Sequence, residues 1–161
     1  MNSLIILCAK DLLYLAALLG LIYWLFLANK QKKYLIIFGA ITGIVAFILA
    51  KVGSTLFYNA RPFVSEHLTP LIQHATDNGF PSDHTLLAAS IAVTVFAVSK
   101  KWGIGFMVLA IIIGASRVMA HVHHPIDIIG SLVFSFIGGM VAYFLAPKVE
   151  KLFHKPHHEE A

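Results

Sequence analysis

YLIIFGAITGIVAFILA, residues 34–50, carries no charged side chain and stops at Lys51. Such a run reads as a helix crossing a bilayer, because hydrocarbon accepts only a backbone that satisfies its own hydrogen bonds. Gly39 and Gly43 form a GxxxG within it, a weak helix-packing signal. Four more apolar blocks stand on either side, at 12–28, 85–99, 102–120 and 126–146. The block at 85–99 is short for about 30 Å of hydrocarbon, but Ser82 as N-cap lets its helix begin earlier. The block at 12–28 reads as a retained span rather than a signal peptide. Its larger basic cluster follows it, and Phe26, Leu27 and Ala28 make a poor cleavage site.

The 161 residues are 58% apolar and 12% charged, with a mean hydropathy of +0.80. Ordinary soluble domains are about 25% charged. The composition therefore excludes a disordered chain and argues against a soluble domain. The expected fold is all-α: one polytopic transmembrane helix bundle of about five spans, a single domain over 1–161. Residues 147–161 form a charged, frayed tail. Residues 53–81 read as an extramembrane loop whose 68–72 stretch dips into the interface. The net charge of +4 and the pI near 9.3 do not point to nucleic acid, because the lysines flank apolar blocks. Cys8 is the only cysteine, which excludes an intramolecular disulfide and a CxxC site.

The lysines set the topology. Lys30, Lys32 and Lys33 follow the first span, Lys100 and Lys101 join the third and fourth, and Lys148, Lys151 and Lys155 follow the fifth. With five spans these places share one side, which the positive-inside rule makes cytoplasmic. The opposite, outer face then holds Lys10, Lys51 and both arginines of the protein, Arg61 and Arg117. It also gathers His67, His74, His84, His121, His123, His124, Asp77, Asp83 and Asp127.

Charged groups at span ends are costly and are functional candidates by default. Three segments deliver them: Lys51 with Arg61-Pro62, then Pro81-Ser82-Asp83-His84, then Ser116-Arg117 with His123 and Asp127. Arginines grip phosphate oxygens in bidentate fashion, and Lys51 adds a point charge. Ser82 at a helix start offers a hydroxyl, and the backbone N–H groups after it point at the same anion. His123 and Asp127 are four residues apart, with Pro125 in the first turn of the last span. Asp127 can then accept the imidazole N–H. A histidine oriented this way is a plausible nucleophile toward phosphorus, and His84 can protonate the leaving oxygen. Taken singly, Lys51 could snorkel to the headgroups and Arg117 could cap its helix. Neither explains why both arginines lie here.

The three segments resemble the signature of the type 2 phosphatidic acid phosphatase superfamily: a Lys followed by Arg-Pro, then Pro-Ser-x-His, then Ser-Arg-x5-His-x3-Asp. The last part matches at every defined position, and the resemblance covers about residues 34–146, the expected core. Nine residues separate Lys51 from Arg61, where the general pattern has six, and Asp83 replaces the commoner Gly. Within the superfamily, residues 61–64 and 80–84 resemble the bacitracin-resistance type of undecaprenyl-diphosphate phosphatase. The resemblance implies hydrolysis of undecaprenyl diphosphate to undecaprenyl phosphate in a bacterial plasma membrane, with the active site facing outside. It implies that His123 attacks and becomes a phosphohistidine, Asp127 orients it, and His84 serves as acid and then base. Lys51, Arg61, Ser82 and Arg117 would hold the phosphate, without metal or cofactor. The partners are then the polyprenyl diphosphate and membrane lipids.

Other readings compete. A related lipid phosphatase would act on phosphatidylglycerophosphate, phosphatidic acid or lipid A. A metal-binding or metal-transport protein would use His121, His123 and His124, with His154, His157 and His158 in the tail. Those two clusters fall on opposite faces, and cations crowd the outer one. A non-catalytic membrane scaffold is the third alternative.

Overall fold

The computed structural model describes residues 2–153, and every regular element among them is a helix. In chain order these are α1 (Asn2–Lys10), α2 (Leu12–Leu25), α3 (Asn29–Leu56), α4 (Pro62–Ser65), α5 (Asp83–Phe96), α6 (Lys100–Met119) and α7 (Pro125–Phe153). Helices α3, α6 and the Pro125–Val149 part of α7 are each long and apolar enough to cross a membrane. Helices α1 and α2 pass the same test only as a pair, bent by 48°. Helix α5 has 14 residues, a rise of about 21 Å, and is shorter than the bilayer core. The protein is thus an all-helical, multi-pass membrane protein, and all five apolar blocks of the sequence are helices.

Helices α3 and α7 overrun their blocks. Helix α3 begins before Lys30 and continues past Lys51 to Leu56. Lysine ends an apolar run but is a good helix former, so charge does not stop the backbone. Helix α7 likewise runs through Pro147 to Phe153, where the sequence predicts a frayed tail from 147. A proline removes one backbone donor, and the helix here continues beyond it. Residues 154–161, including Lys155, His154, His157 and His158, lie outside the described residues.

The starts of α5 and α6 are set by serines. Ser99 accepts a hydrogen bond from the Trp102 backbone N–H. Ser82 is the N-cap of α5 as expected, but its hydroxyl accepts from Thr85 Oγ1 at 3.2 Å rather than from a backbone N–H. Buried contacts between helices rely on small residues, Ala16, Ala88, Ala89 and Ala110 among them, which let backbones approach closely. Hydroxyls bridge α5 and α7: Ser90 donates to Ser135, Ser135 to the Leu86 carbonyl, and Ser131 to the Ser82 carbonyl. These bonds fix the Ser82–His84 segment against the start of α7.

Of the GxxxG pair only Gly39 packs closely, against Thr94; Gly43 faces open space. The tighter crossing is at Gly138 of α7, where an added Cβ would stand 2.5 Å from the Thr42 carbonyl oxygen of α3. That atom is backbone and has no rotamer to change. Gly138→Ala is therefore expected to destabilise the protein by about 1–3 kcal/mol. Gly43→Ala, with nothing to meet, should be neutral or slightly stabilising. Thermal unfolding of both variants in detergent checks this contrast.

Two residues of the 68–72 stretch, expected to dip into the interface, are held by the bundle. Leu71 and Ile72 pack on Ala9, Ala120 and Val122, and the Leu71 N–H donates to the Ala120 carbonyl at 3.1 Å. Their apolar side chains find a buried partner in the end of α1 and the α6–α7 connection. The long loop is thereby laid across the end of the bundle where the three signature segments meet.

Candidate active site

The loop after α3 is folded by one side chain. Asn78 Oδ1 accepts from the backbone N–H groups of Asn59 and Phe80, at 2.9 and 3.0 Å. Its amide donates to the carbonyls of Ser54 and Phe57. An antiparallel bridge pairs Ala60 with Asn78, and the Gly79 N–H donates to the Asn59 carbonyl at 2.8 Å. This clasp brings Arg61 and the Gly79 carbonyl to the same place.

Arg61 precedes Pro62, which opens the single turn of α4. Its guanidinium is buried. Nε donates to Asp77 at 2.9 Å, Nη1 to the Val122 carbonyl at 2.9 Å, and Nη2 to the Asn78 carbonyl at 3.3 Å. Arg117, in the last turn of α6, is 3% exposed and reaches the Ala9 carbonyl through Nη1 at 3.2 Å. Its Nε is buried and has no hydrogen-bond partner. A buried guanidinium N–H without a partner is costly, and an anionic oxygen would satisfy it.

Both arginines converge on one atom. Nε2 of His123 lies 3.2 Å from Arg61 Nη1 and 3.4 Å from Arg117 Nη2. The opposite ring nitrogen, Nδ1, lies 2.9 Å from the Gly79 carbonyl and 3.3 Å from Asp127 Oδ2. Both of those groups only accept. Nδ1 therefore carries the proton of the neutral ring, and Nε2 presents a lone pair toward the arginines. His123 sits just before α7, as the sequence predicts from Pro125. Asp127, in the first turn of α7, is fully buried. Its Oδ1 accepts from Asn59 Nδ2 at 2.7 Å and its Oδ2 from the His124 backbone N–H at 2.8 Å.

A cavity of about 480 Å³ opens beside this group, lined by His74, His84 and Arg117. Ser82 is fully buried at the start of the same helix as His84. Arg61, Arg117, His123 and Asp127 thus form one cluster, with His84 and Ser82 bordering it. Lys51 is not among them. It is exposed, with Nζ 5.3 Å from the centre of the Phe47 ring, and lines a second cavity of about 210 Å³ with Arg61, Asp77 and Asp83. Asp83, the carboxylate that departs from the general pattern, faces this second cavity beside Lys51.

Asn59, Asn78 and Gly79 are site residues that motif reading misses. The Asp77-Asn78-Gly79 turn signal was the available hint. Two further histidines are occupied elsewhere: His121 meets the Thr69 carbonyl, and His124 meets the Ala60 carbonyl and Glu66. Among the described residues, no three His, Cys, Asp or Glu side chains converge as a metal-binding group.

Burial, with Arg117 and Arg61 nearby, lowers the His123 pKa against the opposing pull of its Asp127 hydrogen bond. Burial and the same two arginines push His74 down to about 4. The unfolded chain takes up these protons near pH 6.5, and the folded one only lower, toward 4 at His74. Stability contributed by the neutral imidazoles is therefore full above pH 6.5 and is lost as the pH falls toward 4. The expected result is a Tm in detergent several degrees lower at pH 5 than at pH 7.5. His74→Asn should weaken that dependence without removing it, because burial and Arg117 push His84 down to about 4 as well.

A model described as the PAP2 superfamily matches residues 33–151. The chain is 34% identical over 150 residues to the bacitracin transport permease protein BcrC of Bacillus licheniformis, covering 92% of this chain and 73% of that protein. It is 31% identical over 143 residues to the undecaprenyl-diphosphatase BcrC of Bacillus subtilis (strain 168), covering 89% and 74%. It is 33% identical over 129 residues to an undecaprenyl-diphosphatase of Sulfolobus acidocaldarius, covering 78% and 60%. No solved structure matches.

Proposed function

The chain belongs to the PAP2 superfamily, and we propose that it hydrolyses undecaprenyl diphosphate to undecaprenyl phosphate and inorganic phosphate through a phosphohistidine at His123. The observation that carries the chemistry is the orientation of His123: the Nδ1 proton is tied to Gly79 and Asp127, and the Nε2 lone pair faces two arginines. The substrate choice is supported by the relatives named undecaprenyl-diphosphatase.

The terminal phosphate displaces the arginine N–H groups from Nε2 and takes those hydrogen bonds on its own oxygens, including the unpartnered Arg117 Nε. Ser82 and the N-terminus of α5 add donors. Nε2 then attacks phosphorus, the P–N bond forms, and the bond to the bridging oxygen breaks. His84 gives its proton to that oxygen, and undecaprenyl phosphate leaves. In the second step His84 takes a proton from water, the hydroxyl attacks phosphorus, and the P–N bond breaks to release phosphate. Asp127, fixed by Asn59, stabilises the charge that His123 carries in the intermediate. The arginines stabilise the transition-state charge without a metal. Lys51 adds its charge from the Arg61 side.

The site faces outward from a bacterial plasma membrane, where the carrier lipid is released by cell-wall polymer synthesis. Recycling it there supports bacitracin tolerance. Phosphate release by the purified protein over a lipid panel, with EDTA present, tests the assignment. Undecaprenyl diphosphate should be the fastest substrate. Much faster hydrolysis of phosphatidylglycerophosphate, phosphatidic acid or lipid A would transfer the assignment to that lipid.

A further inference from the structure

The 480 Å³ cavity holds three polar side chains that the three-part motif does not use: Gln73 and the two basic groups Lys10 and His74. We infer that these two basic groups form a second phosphate pocket, which holds the leaving-group phosphate of a diphosphate lipid while the terminal phosphate sits at His123. The inference rests on the lipid diphosphatase function proposed above and names what selects a diphosphate over a monoester.

Lys10 is the last residue of α1, a helix outside the signature. Its position is fixed from behind. The neighbouring Ala9 is fully buried against Ala120 and Val122, and the Ala9 carbonyl accepts from Arg117 Nη1 at 3.2 Å. The same arginine that faces His123 therefore anchors the helix end that carries Lys10. His74 comes from the long loop and lies edge-on to His123, with 5.9 Å between ring centres. Its buried Nδ1 makes no hydrogen bond to any described residue. A neutral imidazole still has one N–H to donate to a phosphate oxygen, and Lys10 supplies the positive charge.

The set of groups in the cavity suits the reaction. His123 meets the phosphorus that is attacked, and His84 must reach the bridging oxygen. The leaving phosphate then falls in the cavity that His84 shares with Lys10 and His74. Ile6, Leu71 and Ile72 line the rest of the same cavity and match the apolar chain attached to that phosphate. A phosphate monoester has no second anionic group to place there.

The test compares kcat/KM of the full chain in detergent for farnesyl diphosphate and farnesyl phosphate. Lys10→Met should lose about 10- to 100-fold on the diphosphate, the worth of a charge-assisted hydrogen bond. Its diphosphate-to-monoester ratio should fall at least tenfold. His74→Asn should move the ratio the same way, and Lys10→Arg should restore most of it. Lys10 is exposed, so its replacement leaves folding intact even where His74→Asn does not. Variants equal to the wild type on a diphosphate that the wild type hydrolyses would overturn the pocket. So would an equal loss on both substrates. A wild-type protein that leaves the diphosphate intact but cleaves phospholipid monoesters would instead overturn the parent function.

Discussion

His123→Ala loses phosphate release on the order of 10⁴-fold or more and forms no covalent phosphoenzyme. The size follows from the position of Nε2, the one lone pair that faces both guanidinium groups. Removing the ring leaves the arginines able to bind phosphate but removes the atom that attacks it. Substrate should still bind, so KM should change far less than kcat. Asp127→Asn should cost less than His123→Ala. The Gly79 carbonyl, at 2.9 Å, is the nearer partner of Nδ1 and still holds the ring and its tautomer when the carboxylate is gone. Single-turnover assays with a labelled terminal phosphate measure both variants.

His84→Ala should lower kcat on the lipid diphosphate by roughly 10²–10⁴-fold, the usual worth of a general acid. His84 borders the cavity with Arg117, on the first turn of a helix that Ser131 and Ser135 pin to α7. It is well placed to serve the bridging oxygen but makes no contact with His123 Nδ1 or Asp127 that would give it the nucleophile's role. An aryl phosphate leaves without help from a proton, so it should recover much of the His84→Ala loss. It should recover none of the His123→Ala loss. Equal recovery of both would contradict the division of roles.

The cluster of Arg61, Arg117, His123 and Asp127 was legible because costly charges stand out against apolar blocks. The lysine-based topology placed three separated segments on one side before any motif was invoked. The bundle was legible for the same reason: five apolar blocks become five helices. Helix ends were less so, because neither Lys51 nor Pro147 interrupts its backbone as the apolar pattern implies. Gly79 escaped because it acts through a carbonyl, which every residue has. Asn59 and Asn78 escaped because asparagines in a loop ordinarily mark turns; only the fold brings Asn59 Nδ2 to within 2.7 Å of Asp127. Lys51 shows the reverse case. Its place in the motif suggested a phosphate contact; one turn after Phe47 on α3, it lies over that ring and lines the second cavity with Arg61 rather than the cavity of His84 and Arg117.

The proposed chemistry makes one atom the point of attack, and that atom can be identified directly. Undecaprenyl diphosphate labelled at its terminal phosphorus is mixed with enzyme, quenched with base, and the modified peptide is mapped by mass spectrometry and phosphorus NMR. The label should sit on His123, at Nε2 and not at Nδ1, because the Gly79 carbonyl and Asp127 keep the Nδ1 proton in place. Label on Nδ1, on His84, or on no histidine while turnover proceeds would contradict it.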